Sequence, residues 1–319
     1  HDDLADAGAG RGVYLRMTQL SPAWIAVDWG TSNLRAWAMA ADGTVLAEAD
    51  SPEGMGKLAR DGFEPALLRL IGPWLERKPP VVACGMVGSR QGWVEAPYRS
   101  VPCPPLDRGG LIAAPTTDPR LAVSIAPGLM QARPADVMRG EETQIAGVLR
   151  LLPGYDGVLC LPGTHSKWAQ VSAGEVVSFQ TFMTGELFAL LSEASVLRHG
   201  MQGATGRDDA AFDTGVSDAL SRPERLGARL FSLRAEGLIA GLSPDAARAR
   251  LSGLLIGTEL AGAKPYWLGQ RVTLVGAEKL SAAYARALAA QGIAAERMNA
   301  TDCTLAGLAA LAPEREAAR

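Results

Sequence analysis

Histidine and cysteine are scarce in this chain, and neither stands where metal or disulfide chemistry would need it. Of its 319 residues only three are histidine and four are cysteine. Cys84, Cys103, Cys160 and Cys303 lie far apart, with no C-x-x-C pair and no histidine at ligand spacing. Free thiols in a reducing cytosol are therefore expected, rather than a disulfide framework or a zinc centre. An excess of one charge is missing too: 31 Lys and Arg against 34 Asp and Glu leave a formal net charge of -3. That balance offers no footprint for nucleic acid or an anionic membrane. No apolar run reaches the ~18 residues of a membrane span. G-x-x-x-x-G-K-[ST] and G-x-G-x-x-G are also absent, so neither a P-loop nor a dinucleotide fingerprint is expected.

What is present is an ordinary globular composition, 48% hydrophobic and 20% charged, enough for one large domain or two lobes. Residues 1–16 begin without methionine and lack a signal-peptide pattern. They read as a flexible leader or an appended remnant, with Met17 a natural start and a cytoplasmic location expected. Apolar period-2 runs at 24–29, 34–40 and 44–49 predict three strands, the last two joined by the hairpin 41-ADGT-44. A helix is expected over 63–76, broken near Gly72-Pro73, then a strand at 81–87. The Pro/Gly-rich stretch 88–119 is too long for a simple connection and reads as functional. A strand near 121–127 and a helix over 140–152 follow.

The order then repeats. Strands are expected at 157–163, 167–173 and 175–183, a helix at 185–197, and a helical insertion over 213–264. A strand at 271–277, a helix at 279–291, a strand at 293–299 and a helix at 302–311 close the chain. This predicts an α/β fold of two lobes of similar topology, 17–153 and 154–319.

The turns after the first strand of each half can be superposed. VDWGTS (27–32) and CLPGTHS (160–166) share Gly-Thr, and the second carries Leu161 where the first has Asp28. Glycine lets backbone N–H groups approach a phosphate closely, and Thr31 and Ser32 add hydroxyl donors, with Asn33 a further one. Asp28 suits a hydrated Mg²⁺, which keeps several waters and bridges phosphates. One such motif alone could be a capped hairpin. A second at the matching point favours two phosphate loops, Gly30-Thr31-Ser32 and Gly163-Thr164-His165, sharing one metal. Lys167 is expected to act ionically beside the terminal phosphate, and the N–H groups of Thr184, Gly185 and Glu186 to face nucleotide or substrate. Gly276 and Ala277 fit either an adenine sliding against backbone or plain helix–strand packing. His199 reads as a surface residue.

In 139-RGEETQ-144 two carboxylates open a helix, where the macrodipole favours negative charge. Between two phosphate loops such a carboxylate can take the proton of an attacking hydroxyl, and Glu142 is chosen over Glu141 for that role. In 85-GMVGSRQGWVEAPY-98, Ser89, Arg90, Gln91, Trp93 and Tyr98 form a dense polar and aromatic run, with Arg90 expected on a substrate carboxylate.

These segments resemble a known family. The paired D-x-G-T-S and P-G-T turns are similar to those of the superfamily of acetate and sugar kinases, heat-shock ATPases and actin, which implies an α/β fold of two similar ribonuclease H-like lobes with a nucleotide cleft between them. Together, 25-IAVDWGTSNLRAW-37, 85-GMVGSRQGWVEAPY-98, 139-RGEETQ-144 and 161-LPGTHSKW-168 resemble the 2-dehydro-3-deoxygalactonokinases, from about Met17 to Leu311. The resemblance implies ATP-dependent phosphorylation of the terminal hydroxyl of 2-dehydro-3-deoxy-D-galactonate, with Mg²⁺, in galactonate breakdown. Lobe closure would exclude water from the transfer. The gluconate-derived epimer remains open as substrate, as does an exopolyphosphatase-like hydrolase, whose helix-start glutamates are similar. An actin-like scaffold ranks below both. A monomer and a homodimer are both open.

Overall fold

The computed structural model describes residues Leu20 to Pro313, and the leader expected at 1–16 lies outside the described residues. In the first half, β1 (Trp24–Trp29), β2 (Leu34–Met39) and β3 (Val45–Ser51) form an antiparallel run, followed by α1 (Phe63–Ile71). α1 stops at Ile71 and the chain continues as a tight turn over Gly72–Trp74, because Pro73 cannot donate to a continuing helix. Parallel strands β4 (Val81–Gly85) and β7 (Val123–Ile125) extend the sheet on the other side of β1. With β6 (Ile112–Ala113) at the edge, the order is β3-β2-β1-β4-β7-β6.

The segment between β4 and Glu141 holds structure that its sequence did not announce. β5 (Arg99–Ser100), β8 (Leu129–Gln131) and β9 (Asp136–Met138) make a separate three-stranded sheet. Strands of two and three residues are too short to display a period-2 pattern. Then α2 (Glu141–Leu151) leads to the second half.

There β10 (Gly157–Leu161), β11 (Ser166–Ser172) and β12 (Glu175–Phe182) repeat the antiparallel run. α3 (Thr184–Ala189) is shorter than the expected 185–197 helix. The chain widens into a π turn over 190–194, and Ser195 caps the next turn by accepting from the Leu197 N–H. An insertion of α4 (Asp209–Ser221), α5 (Leu226–Ile239), α6 (Pro244–Gly262) and α7 (Lys264–Trp267) precedes β13 (Val272–Gly276). α8 (Glu278–Ala289), β14 (Glu296–Asn299) and α9 (Ala300–Leu311) complete it. The second sheet runs β12-β11-β10-β13-β14, with β13 and β14 parallel to β10. Both halves thus place their first strand centrally, hairpins on one side and parallel strands on the other, as two ribonuclease H-like lobes do.

Alternation along β1 serves two cores at once. Ile25, Val27 and Trp29 face α1 and pack with Phe63 and Trp93. Trp24 and Ala26 face the opposite way, onto Leu308 and Leu311 of α9. The helix that ends the chain therefore packs on the first sheet. Conversely, α2 lays Ile145 and Val148 against Leu159, Leu161 and Ala169 of the second sheet. The two helices cross at glycines. A Cβ on Gly147 would lie 1.8 Å from the Cys303 carbonyl oxygen, and one on Gly307 would lie 2.0 Å from that of Thr143. Each lobe is completed by a helix from the other half of the chain, and both helices start at the cleft.

Candidate functional site

The turn after β1 is buttressed from behind. Backbone N–H groups of Met55 and Gly56 donate to the carbonyls of Gly30 and Thr31, each at 2.9 Å. Gly54 passes so close that a Cβ there would lie 2.2 Å from the Ser32 carbonyl carbon. Those contacts satisfy two carbonyls of the turn. The G-M-G after β3 was a legible signal for this support that sequence reasoning missed. The turn after β10 is held similarly. Glu186 N–H donates to the Thr164 carbonyl at 3.0 Å, and Gly185 sits where a Cβ would lie 2.3 Å from the Gly163 carbonyl oxygen.

Both turns open onto one cleft holding a cavity of about 350 Å³. Asp28, Gly30 and Thr31 line it from the first turn, and Gly163, Thr164 and His165 from the second. Gly276 and Ala277 line it from the third, while Ala300 and Thr304 come from the start of α9. Ser32, expected beside them, is exposed and does not line the cavity. Gly276 also packs closely: a Cβ there would lie 3.0 Å from Ser281 Oγ and 3.4 Å from the Pro162 carbonyl oxygen.

Asp28 is ion-paired with Arg35, whose Nη1 also donates to Thr301 Oγ1 at 3.2 Å. Among the described residues, the hydrogen-bond partner of the other Asp28 oxygen is the Cys84 thiol, at 4.0 Å. Lys167 is 5% exposed, donates to Thr181 Oγ1 at 2.9 Å, and brings its Nζ 4.0 Å from Glu141 Oε1. His165 contacts Glu186 instead of a second histidine or a metal cluster.

The two glutamates of α2 divide. Glu141 lines the cleft, and its Oε2 accepts the Arg139 N–H at 3.1 Å. Burial raises its pKa, against the opposing pull of Lys167. Glu142, expected to activate the acceptor hydroxyl, is instead fully buried. Its oxygens accept from the Gly140 N–H at 2.6 Å and from Thr143 Oγ1 at 3.1 Å. Burial, followed by the charge of Glu141, pushes its pKa up to about 8. Consecutive helix residues point ~100° apart, and here Glu141 lines the cleft while Glu142 does not. Gly140, at φ 104°, sets that rotation.

The substrate loop divides too. Arg90 and Gln91 are exposed, and Arg90 offers only its carbonyl, to Arg60. Trp93 is 4% exposed and lies in the core, its ring stacked on Phe63 at 6.3 Å and edge-on to Trp29. Its run of aromatic neighbours read as a recognition surface because periodicity cannot reveal folding back onto a core. Ser89 is buried, and Tyr98 is half-exposed beneath the guanidinium of Arg139, 4.4 Å from ring to Cζ. Arg139, to which the sequence assigned no role, lines the cleft.

Beneath the second turn, Glu259 of α6 is 2% exposed. It accepts from Trp168 Nε1 at 2.8 Å and Tyr284 OH at 2.7 Å, and Tyr284 OH lies 2.9 Å from Ser166 Oγ. Burial raises its pKa against the hydrogen bonds of Thr184, Tyr284, Trp168 and Ser166.

Comparison with known proteins fits this geometry. The model of the 2-keto-3-deoxy-galactonokinase family matches residues 28–311. The chain belongs to this family. A Rhizobium meliloti (strain 1021) protein named a probable 2-dehydro-3-deoxygalactonokinase is 41% identical over 295 residues, 91% of this chain and 96% of that one. The 2-dehydro-3-deoxygalactonokinase of Escherichia coli (strain K12) is 38% identical over 274 residues, 84% and 90% of the two chains. A solved Sinorhizobium meliloti structure, named a candidate 2-dehydro-3-deoxygalactonokinase protein, superposes with a TM-score of 0.83 at 41% identity. It covers 91% of this chain and 98% of its own. This galactonokinase family chain is a kinase by that kinship, with an ATP-type donor implied by the fold.

Proposed function

We propose that the protein transfers the γ-phosphoryl group of ATP to the terminal (6-)hydroxyl of 2-dehydro-3-deoxy-D-galactonate. The products are ADP and 2-dehydro-3-deoxy-6-phospho-D-galactonate. The observation that carries this reading is the convergence of the Gly30 and Gly163 turns with the start of α2 on one cleft. In the reaction the acceptor oxygen bonds to the γ-phosphorus, the bond from that phosphorus to the β,γ-bridging oxygen breaks, and ADP leaves with those electrons. The hydroxyl proton goes to a carboxylate. Glu141 takes that part over Glu142, because its side chain reaches the cleft and Glu142 is spent on Gly140 and Thr143. Lys167, beside Glu141, favours the ionised form and stands ready to share the phosphoryl charge. Gly30, Thr31, Gly163 and Thr164 supply the phosphate cradles, and Gly276 and Ala277 the adenosine side.

Mg²⁺ fits the residues present. Among the described residues no cluster of three or more His, Cys, Asp or Glu could cage a metal. Magnesium held by one or two carboxylates, phosphates and its own waters needs no cage. Asp28, with one oxygen outside its ion pair, is the residue that would hold it. Bound there, the ion would neutralise phosphate charge.

Among the described residues no helix is long and apolar enough to cross a membrane. A cytoplasmic site of action, where ATP is plentiful, belongs to the same reading. Self-association is its other finer part: Phe231, Leu238 and Ile239 on α5 stand 65%, 66% and 85% exposed, a face suited to a second copy, and light scattering decides it.

Incubation with ATP, Mg²⁺ and the keto-deoxy acid should release ADP in step with acceptor consumed, with the galactonate-derived acid preferred over its gluconate-derived epimer. Phosphate release without acceptor, from ATP or polyphosphate, would instead indicate a hydrolase.

A further inference from the structure

Arg139 presents an unsolved charge in an otherwise satisfied cleft. It precedes the first residue of α2 by two positions and is 9% exposed. Nη2 donates to the Ala96 carbonyl at 2.7 Å, but Nε and Nη1 have no acceptor. No carboxylate forms an ion pair with it among the described residues. Glu141 Oε2 takes its backbone N–H instead, and Glu142 is held by Gly140 and Thr143. The guanidinium is fixed from two sides. Tyr98 lies under its plane, and Gly88 makes room for Nη1, since a Cβ at 88 would approach it to 2.9 Å. One residue on, Ser89 is 4% exposed and its Oγ likewise lacks a partner. Unpartnered polar atoms of two segments, the Arg139 guanidinium that lines the cleft and the Ser89 hydroxyl next to Gly88, thus occur together on the first-lobe side.

Glu142 acts on this guanidinium through its field only, and buried donors left without an acceptor are costly unless a ligand brings one. A planar fork with an open N–H on both its side edge and its end edge suits a carboxylate. We propose that Arg139, assisted by Ser89 and braced by Tyr98, is the seat for the carboxylate of the acceptor. The assignment rests on the sugar-acid kinase reading and gives its acid specificity to Arg139 rather than Arg90. The carboxylate is then anchored on the first-lobe side of the cleft, so the far end of the acceptor is left to reach the phosphate turns.

The test compares the wild-type enzyme with Arg139→Met and Arg139→Lys on two acceptors, the keto-deoxy acid and its carboxamide. The wild type should favour the acid. Arg139→Met should raise KM for the acid by about 100-fold, the worth of a charge-assisted pair, while KM for the carboxamide and for ATP moves less than about 3-fold. Arg139→Lys keeps the charge without the fork and should fall between. Loss of the Ala96 bond and the Tyr98 contact lowers the melting temperature of Arg139→Met on either account, so the split between acid and carboxamide, which a bracing role would not produce, is the deciding readout. Equal losses on acid and carboxamide, a change confined to ATP, or loss of acid preference in Arg90→Met instead would overturn the assignment. Calorimetric titration of the acid without ATP separates this inference from the kinase reading. Binding by the wild type that Arg139→Met abolishes supports the seat even if no phosphoryl moves. Transfer by the wild type with unchanged binding in the variant overturns the seat alone.

Discussion

Replacing Gly307 by alanine sets two known effects against each other, and the structure decides the sign. In an exposed helix interior the change should stabilise by about 1 kcal/mol, because alanine loses less backbone freedom on folding. At 307 the new Cβ would lie 2.0 Å from the Thr143 carbonyl oxygen and 3.0 Å from Thr143 Cγ2, where ordinary contact begins at 3.4 Å. Helices α2 and α9 must part by roughly 1.4 Å, and the obstacle is backbone rather than a side chain that can turn away. Forced overpacking of this kind costs about 1–3 kcal/mol, and a backbone clash belongs at the upper end. The net expectation is a loss of about 2 kcal/mol. Both helices begin at the cleft, where Glu141 and Thr304 line it, so the same displacement should lower kcat by about 10- to 100-fold. Urea unfolding of Gly307→Ala beside Gly237→Ala gives the answer. Gly237 lies in α5 with nothing within 4 Å of its added Cβ, and should gain up to about 1 kcal/mol. If Gly307→Ala proved as stable as Gly237→Ala, the close crossing of the two lobe-bridging helices would not exist in solution.

Three further outcomes follow from the site. Asp28→Asn should cut kcat by on the order of 100-fold with circular dichroism unchanged, and undiminished turnover would rule out a role in metal and phosphate handling. Glu142 has its pKa raised from 4.5 to about 8, so its stabilising contribution is complete below the unfolded value and disappears as pH climbs through the folded one. Between pH 6 and pH 8 the wild type should therefore lose about 2 kcal/mol more than Glu142→Gln, and parallel urea midpoints for the two would contradict a neutral buried carboxyl. Glu259→Gln forces an amide N–H₂ toward Tyr284 or Trp168 in a site built from donors. It should cost about 1–3 kcal/mol and raise KM for ATP more than KM for the acid, since Ser166 and Thr184 flank the second turn; a shift in the acid KM alone would argue against that coupling.

The two-lobe plan was legible because it is written in local patterns. Strand alternation, helix breaks such as Gly72-Pro73 and the repeated Gly-Thr turns each depend on a few neighbouring residues. The positions of β1, β2, β10 and β11 agree with expectation to within a residue or two of each end. The cleft residues Asp28, Gly30, Thr31, Gly163, Thr164, Gly276 and Ala277 were also found together, because a chain that repeats a supersecondary unit tends to repeat where its strands end.

Other features depended on which way an element rotates and what packs on it. Glu141 and Glu142 are equivalent as letters; a glycine at positive φ and the burial of Ile145 and Val148 turn one outward and the other inward. Arg90 and Arg139 are equally basic, yet one lies on an exposed loop and the other is buried over Tyr98. Trp93 packs its ring on Phe63 and Trp29, residues from earlier elements of the same lobe. The exchange of α2 and α9 between lobes, and the Glu259 network under the second turn, likewise bring together residues from opposite parts of the chain. By itself the sequence determined the main strands and helices and their repetition, since these arise from short-range backbone preference. Which carboxylate, which arginine and which helix face serve the cleft was decided only by tertiary packing, where burial and charge are set by neighbours distant along the chain.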